Sequence, residues 1–193
     1  MTERRDVARK IYAPYMKSTL QRKVRLLITE IGKNIKQNLE TKLNSNISGK
    51  CIQEGFIKPK SIKVIQYSSG NISFDQVHYD VIFDCMVCIP VEGMLVECTC
   101  KTVTKAGIHA EVIDDDGVKP LTIFVARDHH HMDERLNKLN EGDKIVVTVI
   151  GIRFELNDTY ICAIAKLNQS TNEAKPKVKP RLQMGGDLEE VLF

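Results

Sequence analysis

The sequence predicts an α+β unit, one helix on a small antiparallel sheet, followed by an all-β barrel of five strands. Three observations carry that prediction. A four-residue apolar repeat with a charged opposite face occurs at Ile31, Ile35, Leu39 and Leu43. Strand-like runs rich in Val and Ile fill most of the chain around it and after it. A break at Pro90-Val91-Glu92-Gly93 then divides those runs into two groups.

Residues 1–17 are polar and charged, punctuated by Tyr12, Pro14 and Tyr15, and read as a flexible or peripheral extension. Ser18 to Ile28 fits a first strand. The helix follows, with Lys33, Lys36, Glu40 and Lys42 on its polar face, and Ser48-Gly49 closes it. Lys50–Ile57, Ser61–Tyr67 and Val77–Ile89 are the next strands, separated by Pro59 and by Ser68-Ser69-Gly70-Asn71. Residues 18–92 thus make the first domain.

Residues 93–168 make the second. Its strands are Met94–Val103, Ile108–Ile113, Leu121–Ala126, Ile145–Ile152 and Thr159–Leu167, with turn chemistry at Lys105-Ala106-Gly107 and Asp114-Asp115-Asp116-Gly117. Arg127–Leu139 is a polar, helix-compatible insertion after the third strand, and five short strands so interrupted are the layout of an OB barrel. Residues 169–193 carry Pro176, Pro180, Gly185 and Gly186 among alternating basic residues and read as a disordered tail. Its Leu188–Phe193 end reads as unstructured in preference to a docking peptide.

Composition narrows the function classes. At 42% hydrophobic and 27% charged the chain can bury a core, and with 6% aromatics and no Trp that core must rest on Ile, Val and Leu. No run approaches the ~20 apolar residues of a bilayer span, and no signal-type apolar segment follows the early charges, so no membrane partner is expected. Residues 1–92 hold 15 Lys and Arg against 9 Asp and Glu, residues 93–168 hold 9 against 12, and the tail balances at 4 against 4. The basic first half suits phosphate backbones, an acidic crevice of a large assembly, or simply a solvated lysine-rich surface.

The chemistry-bearing residues favour quiet explanations. Cys85 and Cys88 have zinc-knuckle spacing, but they sit in a strand-like run whose period of two sends them to opposite faces. Cys98 and Cys100 share a face of another strand. Buried thiols in a reducing compartment are the preferred reading, with neither disulfides nor a metal. His129-His130-His131 cannot converge on one ion if helical, because neighbours diverge by about 100°, and Asp128 and Asp133 add little. Asp114-Asp115-Asp116 lacks the spaced oxygens of a calcium loop and reads as a hairpin turn. No phosphate loop, dinucleotide motif, nucleophile elbow or metalloprotease helix is present, so no catalytic residue and no cofactor is assigned.

The second domain resembles the S-one type of OB fold found in RNA-binding proteins, through Lys105-Ala106-Gly107-Ile108-His109-Ala110-Glu111-Val112 followed by Ile123-Phe124-Val125-Ala126. The junction Val77-His78-Tyr79-Asp80-Val81-Ile82-Phe83-Asp84-Cys85-Met86-Val87-Cys88-Ile89-Pro90, leading into Gly93-Met94-Leu95-Val96-Glu97, resembles the segment joining the two domains of the stalk subunit of multisubunit RNA polymerases. That family comprises the seventh subunit of eukaryotic polymerase II and its archaeal counterpart. The order of strand, helix ending in Ser48-Gly49-Lys50, and further strands is similar to its N-terminal tip domain. The resemblance covers roughly residues 18–167.

It implies a non-catalytic subunit of a DNA-dependent RNA polymerase. The tip would dock on the core subunits and pair with a small helical stalk partner, and the barrel would meet nascent single-stranded RNA. Core docking falls on Lys50, Ile57, Lys58, Pro59 and Lys60. RNA contact falls on Lys101, Lys105, His109, Phe124, Arg127 and Arg153, with bases stacking on His109 or Phe124 and cations tracking phosphates. The S-one pattern prefers an aromatic where His109 stands and a histidine where Ala126 stands. Phe124 is assigned to the core in preference to the binding face, and Phe154 points inward if Arg153 points out. The N-terminal extension, thin aromatic face and charged tail suit a version encoded by a large DNA virus. Its place would be the nucleus or cytoplasm, or a virion for a viral version. The alternative is a free S-one RNA-binding protein of translation or RNA decay, and a small nuclease on an OB scaffold is disfavoured by the missing acidic metal cluster.

Overall fold

The computed structural model describes residues 12–129, 136 and 138–168. The expected tail and the first eleven residues of the expected extension lie outside the described residues. Within them one α-helix and eleven strands form two bodies: a tip sheet carrying the helix and a closed five-stranded barrel. The α+β tip followed by an OB barrel is therefore the fold.

The tip is organised by its longest strand. β6 (Gln76–Cys88) buries every second residue from Val77 to Val87, as a strand with one covered face must. β1 (Met16–Leu27) pairs antiparallel along its length, turning Val24 and Leu26 inward and Lys23 and Arg25 outward. β3 (Gly55–Ile57), β4 (Lys63–Tyr67) and β5 (Asn71–Ser73) share the other edge of β6, and β2 (Cys51–Ile52) pairs with β3. α1 (Ile35–Ile47) lays Leu39 and Leu43 into this sheet beside Val81 and Phe83, and ends at Ser48 before Gly49 at φ +70°.

Three local expectations change. Lys50–Ile57 is a tight hairpin rather than one strand: the chain reverses at Gln53-Glu54, and Gly55 at φ +123° starts the return strand. β5 was not anticipated: Phe74, at φ +54°, turns the chain into β6, and Phe carries no turn signal in sequence. Residues 12–17 are not peripheral. Tyr12 N–H donates to Leu95 O at 3.1 Å, Tyr15 packs on the barrel core, and β1 already begins at Met16.

The barrel comprises β7 (Leu95–Val103), β8 (Gly107–Val112), β9 (Leu121–Ala126), β10 (Lys144–Arg153) and β11 (Ile161–Leu167). It closes in the order β10-β11-β9-β8-β7, with β9 and β11 parallel and the other neighbours antiparallel. Ile108, Ile123, Val125, Val147, Ile161 and Ala165 fill its interior, and Leu136 from the β9–β10 connection joins them. That connection opens with a 3-10 turn at Arg127–His129; His130, His131 and Asp133 lie outside the described residues.

Chain direction gives the barrel two unlike ends. Because β7, β9 and β11 run away from the tip, the β8–β9 and β10–β11 loops face the tip, and the β7–β8 turn lies at the far end. The tip closes its end. Cys51 N–H donates to Asp158 O at 2.7 Å, Asn157 N–H returns to Cys51 O at 2.9 Å, and Cys51, Phe56 and Cys88 belong to the barrel's apolar cluster.

Candidate nucleic-acid interface

The far end gathers most of the expected RNA-contacting residues. Thr104 Oγ1 accepts the Gly107 N–H at 3.2 Å and donates to Gly107 O at 2.7 Å, closing the turn that exposes Lys105. Arg127 N–H donates to Ala106 O at 3.1 Å, which brings Arg127 beside that turn. On the barrel's outer face the register aligns Thr102, His109, Phe124, Ile164 and Gly151 across five strands.

His109 and Phe124 form the aromatic part of that row. Their ring centres are 4.7 Å apart and inclined at 45°. Phe124 is thus on the outer face, against the expectation that placed it in the core. Its neighbours Ile123 and Val125 are both 0% exposed, so alternation leaves Phe124 no inward direction. The run Leu121–Ala126 hid this because its outward positions are also largely apolar. Gly107 makes room for the ring: a Cβ there would lie 2.9 Å from the Phe124 ring and 2.4 Å from Val125 O. Ile164, 48% exposed, continues the surface beside Phe124. It was missed because Ile161-Cys162-Ala163-Ile164-Ala165 is apolar at every position; only Lys166, two residues on, marks the outward face.

The cations divide. Lys101 Nζ binds Glu111 Oε1 at 2.7 Å, and Lys119 binds Glu111 Oε2 at 2.7 Å. These bonds, that of Lys101 first, hold Glu111 below the usual carboxylate range, and Glu111 holds the Lys101 ammonium above its ordinary value. Lys105 makes no ion pair among the described residues. Arg153 stands apart. It ends β10 beside the tip-facing loop and pairs with Glu155 at 3.3 Å, while Phe154 packs on the barrel core as strand alternation required.

Docking candidates in the tip also separate. Ile57 is 0% exposed and supports the sheet from within, so it offers no surface to another protein. Lys58 is engaged inside the chain, by Asp114 and Asp116. Pro59 is half-buried and Lys60 exposed, while Lys50 reaches Asn46 O at 3.4 Å at the helix end. At the opposite end of the tip, Leu27, Ile28, Ile72 and Phe74 are 40%, 51%, 72% and 97% exposed. They gather at one end of the sheet, Ile72 on the face of Val77 and Leu27 on the opposite one, and sequence reading overlooked them.

The thiols lie where alternation placed them. Cys85 is in the tip core and Cys88 in the barrel core, so the two do not converge. Burial pushes the Cys88 and Cys98 thiols up to about 12 and those of Cys51 and Cys85 up to about 11. Among the described residues, no helix is long and apolar enough to cross a membrane.

Together these features define a class: a two-domain protein whose OB barrel is closed at one end by a helix-bearing sheet and carries an aromatic pair toward the other. No protein-family model matches the chain. It is similar, at 25% identity over 170 residues, to a protein of Acanthamoeba polyphaga mimivirus described as a "Putative DNA-directed RNA polymerase subunit". The similarity covers 82% of this chain and 85% of the viral protein, so it spans both domains. The resemblance to RNA polymerase subunits read from the sequence is supported by this viral relative.

Proposed function

We propose that this protein is a non-catalytic stalk subunit of a viral DNA-directed RNA polymerase, docked by its tip and contacting nascent RNA with its barrel. The observation that carries the reading is the similarity to a viral polymerase subunit across tip and barrel together; an OB barrel alone would serve many unrelated functions. The docking surface is the exposed apolar end of the tip, Leu27, Ile28, Ile72 and Phe74, with Lys50, Pro59 and Lys60 flanking the other end. A Phe that is 97% exposed on a left-handed turn is costly in isolation and is relieved by burial in a partner.

RNA contact is short and sits toward the far end. The β10–β11 loop, one of the two loops by which OB barrels grip oligonucleotides, is bonded to the tip through Cys51. What is left is the His109–Phe124 pair for stacking, with Lys105 and Arg127 for phosphates. Arg153 is outside this footprint.

Affinity capture of the chain from native extract at low and high salt, with bound proteins identified by mass, tests the assignment. Recovery of two very large polymerase chains, lost on Phe74→Ser, is the expected result. Recovery of RNA with no polymerase would overturn it in favour of a free S-one RNA-binding protein.

A further inference from the structure

The acidic turn after β8 does more than reverse the chain. Asp114 Oδ1 accepts the N–H groups of Asp116 at 3.0 Å and Val118 at 2.8 Å, which fixes the carboxylate on its own loop. Its other oxygen is turned to the tip, on a side chain only 5% exposed, with Lys58 Nζ 3.3 Å away. The same ammonium lies 2.6 Å from Asp116 Oδ2 and 5.3 Å from the centre of the Tyr15 ring. Three distant segments therefore meet at one point: the lead-in to β1, the end of the β2–β3 hairpin, and a barrel loop.

We propose that Lys58, Asp114, Asp116 and Tyr15 form an interdomain latch that fixes the angle of the barrel on the tip. The covalent link between the bodies is the single segment Ile89–Met94, where Val91 and Glu92 are exposed and Gly93 sits at φ +81°. Gly93 N–H and Met94 O are paired with Val149 of β10 and Pro90 is buried, so the freedom of this link is confined to its exposed Val91 and Glu92. The apolar contacts of Phe56 and Cys88 with the barrel resist separation but are non-directional, so they tolerate sliding. The charge cluster does not tolerate it, because turning the barrel would leave the buried Asp114 carboxylate without its cation, a strongly unfavourable state. The latch and the Cys51 backbone bonds to Asp158 and Asn157 together select one orientation; the apolar contacts supply the adhesion. This inference stands on the chain's own geometry and does not depend on the polymerase assignment.

Amide hydrogen exchange on the full chain tests it. The reporters are the Cys51 and Asn157 N–H groups, which bridge tip and barrel, and the controls are the Val81 and Ile123 amides in the two cores. In Lys58→Met the reporters should exchange at least about tenfold faster with both controls unchanged. Lys58→Arg should restore wild-type rates, and Asp116→Asn, at an exposed carboxylate, should give a smaller acceleration. Reporters that keep their wild-type rates in Lys58→Met and Asp116→Asn would overturn the proposal. So would reporters and controls accelerating together, which is the signature of general destabilisation. Should Lys58→Met fail to fold, Asp116→Asn and Lys58→Arg decide by the same comparison.

Discussion

The two ends of the barrel are built from the same strands, yet they are finished differently. The tip-side end is sealed: the β2 backbone pairs with the β10–β11 loop, Phe56 and Cys88 fill the gap, and a lysine from the other domain pairs with Asp114 and Asp116 of its acidic turn. The far end keeps an exposed lysine, with an aromatic pair near it on the outer face. A barrel has two rims of similar loops, and what decides their roles is where the chain enters. Because the tip precedes β7, it covers the rim at which β7 begins, and the opposite rim is left to the β7–β8 turn and the β9–β10 connection, whose Leu136 packs into the barrel.

Substitutions can sharpen that contrast. The largest effect belongs to the sealed end. A Cβ at Gly55 would lie 2.5 Å from Cys88 O on a backbone at φ +123°, so Gly55→Ala should cost about 3 kcal/mol in chemical denaturation. Gly117→Ala, also at positive φ but with open space around it, should cost only about 1 kcal/mol. Equal losses at both sites would contradict the close approach at the seal.

At the far end the effect should appear in binding and not in folding. Phe124→Ala should weaken single-stranded RNA by about 1–3 kcal/mol in a fluorescence titration, with the unfolding midpoint nearly unchanged. Lys105→Ala should flatten the salt dependence of the same titration by about one counterion-release step. A Phe124→Ala variant with wild-type affinity would move the RNA contact elsewhere.

Acid should loosen the sealed end. Burial alone would raise Asp114, but the Val118 N–H, the Lys58 ammonium and the Tyr15 hydroxyl outweigh it and hold the carboxyl below its ordinary value. A carboxylate depressed in the folded state contributes stability above its unfolded pKa of about 4, and the contribution is lost as pH falls through the lower folded value. Thermal unfolding of the native chain should therefore show a stability loss below about pH 4, and Asp114→Asn should flatten that part of the profile. The smallest effect is expected from Arg153→Ala. Its exposed pair with Glu155 contributes at most about 1 kcal/mol, and RNA affinity should not change.

Much of this could be read directly from the chain. The apolar repeat placed α1, and period-two alternation placed most strands to within a few residues, since burial on one face is a local property of a strand. Alternation also separated Cys85 from Cys88, which the structure puts in two different cores. It could equally have turned Phe124 outward, but a run that is apolar on both faces conceals its own period. The turn at Phe74 left no trace, because its left-handed backbone is imposed by the pairing of β5 with β6.

What the sequence by itself determined was the local order: one helix, its sheet, five barrel strands, and which residues each buries. That information is carried by spacing, and spacing acts over a few residues. Only the tertiary structure decided which barrel end is sealed, that Lys58 serves the inside of the molecule, and that a row of outward side chains joins His109 to Ile164 across three strands. Those relations link residues as far apart as Lys58 and Asp114, and no periodicity spans such a separation; they exist only once the closed barrel and the chain's point of entry have brought the segments together.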